Sequence, residues 1–213
     1  MTPPVLTTAR LTLAGPDPAD LPALAEMWAD PRVYAMISDH ALTREEVWYR
    51  VLRYIGHWQV VGYGTWTLRE TASGRLAGAV GLMDSRRATT PSFEGTPEVG
   101  WTLAPWAHGQ GFAREALEAA LAWADARGIA RTVCIIDPAN APSLRLAARV
   151  GYTLATQATY RDKPTLLFER GANPPPPGGG GTRSVTEGAG SATLGSCPPP
   201  PSPSAPPPPG GGG

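Results

Sequence analysis

The run Trp106-Ala107-His108-Gly109-Gln110-Gly111-Phe112-Ala113-Arg114-Glu115 joins a strand-like stretch, Val99 to Leu103, to a strongly helical one. Downstream, Ala113, Ala116, Leu117, Ala120, Leu121 and Ala124 recur at helical spacing along one narrow face, and Gly128 ends the pattern. Between strand and helix, Gly109 and Gly111 let the backbone close around a ligand. The peptide N–H groups of the first helical turn have no intrahelical acceptor and point outward. Such a turn is a cradle for an oxyanion, and a phosphate is the expected occupant.

On the N-terminal side, Arg10 to Leu13 alternates as a strand, and Asp17-Pro18 supplies an N-cap followed by proline at the first helical position. Leu21, Leu24, Ala25 and Trp28 follow at helical spacing. A second helix opens with Thr43-x-x-Glu46, a capping box, and carries Val47, Val51, Tyr54, Ile55 and Trp58 on one side. The stretches 64–69 and 76–82, separated by a turn around Ser73-Gly74, read as a hairpin. A loop rich in Arg, Thr, Pro and Gly then leads to the strand that starts at Glu98. Beyond the cradle helix, Val133 to Ile136 is a buried strand, Pro142 to Val150 a short helix, and stretches around Tyr152 and Leu166 to Phe168 complete a sheet. The expected order is βααβββαβαββ. Trp28, Trp48, Trp58 and Trp66 fall at core positions of this pattern.

The 213 residues carry 18 basic and 18 acidic side chains, with a pI near 6.8, so the chain lacks the positive excess needed to bind a nucleic-acid backbone. Neither a signal-like leader nor an apolar run of membrane-spanning length is present, which predicts a soluble cytoplasmic protein with no membrane partner. Cys134 sits in an apolar strand and Cys197 in a proline-rich segment, which argues against a disulfide. His40, His57 and His108 stand alone in sequence, so no metal site is expected.

Residues 171–213 hold 13 of the 25 prolines and 12 of the 25 glycines, with Val185 and Leu194 as their large aliphatics. Such a segment buries too little apolar area to offset its ordering entropy, so it is expected to be a disordered tail following a domain of residues 1–170.

A strand, a glycine turn and a helix also describe a dinucleotide-binding unit. That reading requires a small residue where Arg114 stands, and a tighter turn than the link from Leu103 to Gly109. A second landmark decides between them. Asn140-Ala141-Pro142-Ser143-Leu144-Arg145-Leu146, closing in Gly151-Tyr152, follows the cradle at a fixed separation. Together, His108-Gly109-Gln110-Gly111-Phe112-Ala113 and this Asn-x-x-Ser helix resemble the Gcn5-related N-acetyltransferase (GNAT) superfamily from about Thr8 to Arg170. His108 departs from the Gln or Arg usual at its position. The segment Thr8 to Leu13 and the Asn-x-x-Ser form further resemble the branch related to ribosomal-protein-alanine N-acetyltransferases.

The resemblance implies an α/β (α+β) fold: a mixed, mostly antiparallel sheet with one splayed parallel strand pair and helices on both faces. It implies acetyl-CoA as cosubstrate, lying between the splayed strands that contain Glu98 to Leu103 and Val133 to Ile136. Backbone groups of Trp101 and Leu103 would meet the pantetheine arm. His108, Gly109, Gln110, Gly111, Phe112 and Ala113 would hold the pyrophosphate. Asn140 would bond the pantetheine, cap the following helix, or do both. Glu98 is the candidate base, with a strand-end surface glutamate as its alternative. Where many members carry a tyrosine that protonates the departing thiolate, this chain has Ala147, leaving Ser143 as the candidate for that role or for coenzyme A binding.

At pH 7 an α-amine of pKa about 7.8 is roughly a tenth neutral, whereas a lysine near about 10.4 is neutral in roughly one molecule per two thousand. This favours a protein N-terminus as acceptor, with small amines the other option. Tyr34 and His40, between the first two helices, are candidate acceptor contacts, beside Met36, Ser38 and Asp39. A noncatalytic acyl-CoA-binding module is the competing functional class.

Overall fold

The computed structural model describes residues 1–172; residues 173–213, including Cys197 and nearly all of the expected tail, lie outside the described residues. The strands are β1 (Leu6–Thr7), β2 (Leu11–Ala14), β3 (Thr65–Glu70), β4 (Leu76–Met83), β5 (Thr89–Thr90), β6 (Glu98–Leu103), β7 (Arg131–Ile136), β8 (Thr153–Tyr160) and β9 (Lys163–Gly171). The helices are α1 (Leu21–Ala29), α2 (Pro31–Tyr34), α3 (Arg44–Val60), α4 (Phe112–Ala126) and α5 (Ala141–Arg149). All nine strands join one sheet in the order β1-β2-β3-β4-β6-β7-β9-β8-β5, and every neighbouring pair is antiparallel except β6 and β7.

The expected order holds, with three short additions. Asp30-Pro31 repeats the cap-then-proline device of Asp17-Pro18 and starts α2, Asp30 accepting from the Arg32 amide. The two-residue strands β1 and β5 are too brief to show a period. The boundary expected after residue 170 falls inside β9: the strand runs through Gly171, and the Ala172 amide donates to Ala130 O at 2.8 Å.

The strand register separates two faces. Directly opposed residues of neighbouring strands share a face, so Leu13, Leu68, Trp66, Val80, Leu82 and Val99 point one way. Helix α4 covers them with Phe112, Ala116, Leu117, Ala120, Leu121 and Ala124, whose small side chains permit close approach. Trp58, Trp66 and Trp123 meet edge to face there, with centroids 4.7 to 5.5 Å apart. Their opposite numbers Thr65, Ala79, Glu98, Gly100 and Thr102 face the other side, under α1 and α3. That side is lined by small and polar groups, and it is where the sheet leaves a cavity.

Candidate active site

Gly109 and Gly111 have φ of +74° and +80°, in the left-handed region that glycine adopts without strain, and Gly111 is the N-cap of α4. A Cβ at Gly111 would lie 3.5 Å from Arg10 Nη2. Among the described residues, no acceptor meets the amides of Gly109, Gln110 and Gly111, and the amides of the first turn of α4 follow them in sequence. The cradle is braced from outside. Glu115 accepts from Thr8 Oγ1 at 2.6 Å and from the Arg10 amide and Nε at 2.8 Å each, while Arg10 Nη1 donates to Gln110 O at 2.9 Å. Burial works to raise the Glu115 carboxyl, but the bonds from Thr8 and Arg10 outweigh it and hold the group below its ordinary value. Arg10 and Glu115 are over one hundred positions apart, and no local pattern in either segment announces their pairing.

The parallel ladder between β6 and β7 has a single rung, Glu98 opposite Val133. The Val133 amide donates to Pro97 O at 3.0 Å, and on the other edge the Ala104 amide donates to Ala77 O at 2.9 Å. Peptide groups alternate along a strand, so those of Trp101 and Leu103 point toward β7, across the part of the interface that is no longer paired. Leu103 O is already used: His108 Nε2 donates to it at 3.0 Å. The Leu103 amide is the wholly open group of that peptide pair, and its carbonyl keeps one lone pair. The His108 side chain ties the end of β6 to the start of the cradle.

Glu98 is 4% exposed, not a surface glutamate, because its side chain lies on the face covered by α3 and by the 84–97 loop. Arg87 of that loop donates from Nε to Glu98 Oε2 at 2.7 Å. Burial pulls the Arg87 guanidinium down, but Glu98 and then Tyr160 outweigh it and leave it above its ordinary value. The cavity at this place has a volume of about 450 Å³, and Glu98, Trp101, Asn140, Ser143 and His40 all contribute to its wall. Asn140 caps α5, its Oδ1 accepting from the Ser143 amide at 3.2 Å, and so occupies the N-cap role while facing the cavity. Ala147 is fully buried in the core under α5.

Not every candidate converges. Tyr34 is absent from the wall: as the last residue of α2 it packs on the α1–α3 cluster around Trp28 and Leu42. His40 reaches the cavity mouth while pairing with Glu46 at 3.0 Å. The cradle residues His108 to Ala113 lie outside the cavity wall. Arg50, Arg53 and Tyr160 line the cavity without having been singled out from sequence, since a solvated helix face and a hairpin end look alike in composition. Trp28 is buried as expected and also forms part of the wall. Burial, and then the Glu98 charge, push the Cys134 thiol well above its ordinary value, so it is an inert core residue. Among the described residues, no three His, Cys, Asp or Glu side chains converge, and no helix is long and apolar enough to cross a membrane.

A strand pair open beyond one rung, with a glycine cradle at its far end, defines an acyl-CoA-type binding fold. The family model of the acetyltransferase (GNAT) domain matches residues 10–153, and the chain belongs to that family. A protein of Bordetella pertussis described as a GnaT-family acetyltransferase is 32% identical, with 79% of this chain and 99% of that one covered and a TM-score of 0.70. YkkB of Bacillus subtilis (strain 168) is 26% identical over 170 residues, covering 78% of this chain and 94% of its own. An acetyltransferase of Salmonella typhimurium that modifies the N-terminal serine of ribosomal protein L7/L12 shares the fold, at 19% identity and a TM-score of 0.64, covering 80% of this chain and 100% of its own. GNAT acetyltransferases use acetyl-CoA, which is the cosubstrate here.

Proposed function

We propose that the protein is an N-acetyltransferase that moves an acetyl group from acetyl-CoA directly to a primary amine. The observation that carries this reading is the position of buried Glu98 on the cavity wall at the one rung of the β6–β7 pair, at the start of the strand that carries the open Trp101 peptide and Leu103 amide. The cradle suits a diphosphate, since the amides of Gly109, Gln110 and Gly111 meet no acceptor among the described residues and the two glycines hold positive φ. Acetyl-CoA supplies the activated acetyl thioester.

In this reading, the amides of Gly109 to Ala113 hold the pyrophosphate, with the positive end of α4 and Arg10 adding charge. The Trp101 peptide group and the Leu103 amide align the pantetheine arm, and an amide there serves as oxyanion donor. Asn140 contacts the same arm from the start of α5. Glu98 takes the proton of the incoming ammonium, directly or through one water, which makes the amine nucleophilic. As the N–C bond forms and the C–S bond breaks, Ser143 Oγ relays the second proton lost by the amine nitrogen to the departing sulfur. Because a thiol has a pKa of about 8.5, thiolate leaves tolerably well, and the absence of a tyrosine at Ala147 is compatible with turnover.

The acceptor is a protein N-terminus or a small amine. The proton arithmetic favours an α-amine, and a structural neighbour that modifies an N-terminal serine agrees with it. The test is thiol release from acetyl-CoA over a panel of N-terminally free peptides, blocked lysine peptides and small amines, beside calorimetry with acetyl-CoA alone. We expect binding, and faster release with α-amines at pH 7. Absence of acetyl-CoA binding would overturn the site. Binding with no thiol release on any amine would instead make the protein an acyl-CoA-binding module.

A further inference from the structure

Two arginines of α3, Arg50 and Arg53, line the cavity, and among the described residues neither has a carboxylate within ion-pair distance. Of the other charged groups of the wall, Arg87 is paired with Glu98 at 2.7 Å and Lys163 with Asp39 at 2.6 Å, Arg161 stands over the Tyr160 ring, and Asp137 is a carboxylate with no cation partner among the described residues. Asp137 Oδ1 accepts from the Ala139 amide at 2.7 Å. The cavity therefore keeps an unmatched positive charge on its α3 side.

Hydrogen bonding points to the same place. Arg50 Nε and Trp28 Nε1 are buried donors with no acceptor among the described residues. The Arg50 guanidinium lies over the Trp28 ring, 4.1 Å from its centroid. Trp58 and Trp66, the other fully buried tryptophans among the described residues, each donate their indole N–H to a backbone carbonyl, at 3.0 and 2.8 Å, so Trp28 is the exception among them. Buried donors are normally satisfied, and two orphans stacked on each other in one cavity wall ask for an oxygen-rich partner. The cradle residues form no part of this wall, so the phosphates of the cosubstrate have a seat of their own.

Resting on the acetyltransferase reading above, we infer that the acceptor amine carries a carboxylate, or an equivalent anionic group, which Arg50 and Arg53 grip while its amine faces Glu98. The shared chemistry is an amine with an anion a few bonds away. It is met by an acidic residue next to a peptide N-terminus or by the carboxylate of a free amino acid. Polycationic acceptors such as polyamines are disfavoured by the same charge.

The experiment measures thiol release from acetyl-CoA by the full chain with peptides identical but for Glu, Gln or Lys at the second position. A second arm compares free amino acids with their primary amides, with rates referred to the neutral amine. Which arm responds identifies the source. The expected kcat/KM is tenfold or more higher for the anionic member of the responding pair. Arg53→Gln should erase that preference, and Arg53→Glu should turn it toward the Lys peptide. Arg53 is exposed, so both variants keep the fold even where Arg50→Gln, which unstacks from Trp28, does not. Turnover with equal rates for anionic and neutral acceptors, or equal losses for both in Arg53→Gln, would overturn this inference and leave the acetyltransferase reading standing. Loss of acetyl-CoA binding itself, read by calorimetry on the unmodified chain, would overturn both.

Discussion

Glu98 and Val133 face each other across the single rung that joins β6 to β7, so one residue both pins the parallel pair and presents a carboxylate to the cavity beside it. Strand pairing sets its backbone, Arg87 sets its side chain, and the gap begins one residue further along. Position and chemistry are coupled at this residue, and its neutral replacement separates them.

Glu98→Gln keeps the strand and the shape of the side chain but removes the proton acceptor. We expect kcat to fall by about 10²- to 10⁴-fold, the range typical of a lost general base, with acetyl-CoA affinity unchanged. The variant also leaves Arg87 without its charged partner, which costs about 1.5–3 kcal/mol of stability. Steady-state kinetics with calorimetry and thermal melting check both. Unaltered kcat across pH would remove Glu98 from the proton path.

Gly111→Trp should abolish cosubstrate binding. The left-handed φ of +80° disfavours any side chain by about 1–2 kcal/mol, and the indole would fill the cradle next to Arg10. Calorimetry should show acetyl-CoA affinity reduced by about 100-fold or more, equivalent to about 3 kcal/mol, with circular dichroism reporting a folded chain. Affinity equal to that of the parent would place the diphosphate elsewhere.

The Glu115 brace makes stability sensitive to acid. Its carboxyl is held below its ordinary value of 4.5, so its contribution is complete above that pH and is lost as the pH falls through the lower folded value. Denaturant titrations should show stability dropping below about pH 4.5, and Glu115→Gln should drop less steeply there. At pH 7 the variant should lose about 1 kcal/mol, a modest figure because Arg10 is half exposed and its pairing is screened. Identical pH slopes for parent and variant would show that the brace does not titrate with folding.

Ending the chain after Ala172 should leave acetyl-CoA binding unchanged and Tm within about 1 °C, since the segment beyond it is too poor in apolar residues to add a core. Ending it after Arg170 should cost more, because it removes Gly171 from β9 and the Ala172 to Ala130 bond. A loss of affinity on ending the chain after Ala172 would assign the segment beyond it a role in the site.

The elements that sequence revealed are those whose determinants are local. The capping box at Thr43 and Glu46, the helical spacing from Ala113 to Ala124 and the Asn140 cap are each decided within a few residues, and the structure repeats them. The cradle belongs with these, since positive φ at Gly109 and Gly111 is a property of the glycines themselves. What sequence could not show was assembled from distant parts. The Arg10–Glu115 brace, the Arg87–Glu98 pair and the stacking of Arg50 on Trp28 depend on which strands are neighbours and on the route of the 84–97 loop. Tyr34 shows a non-local effect of another kind: it lies between the two helices read from sequence, and Asp30-Pro31 starts an extra helical turn there that packs it, half-buried, against the α1–α3 cluster.

A sheet whose halves are laced at one point between β6 and β7 leaves a slot from that rung to the Leu103 end, bordered by the continuous ladders on either side. His108, bonded to Leu103 O, ties the glycine loop to the end of β6. One strand therefore both borders the slot and anchors the loop at its far end.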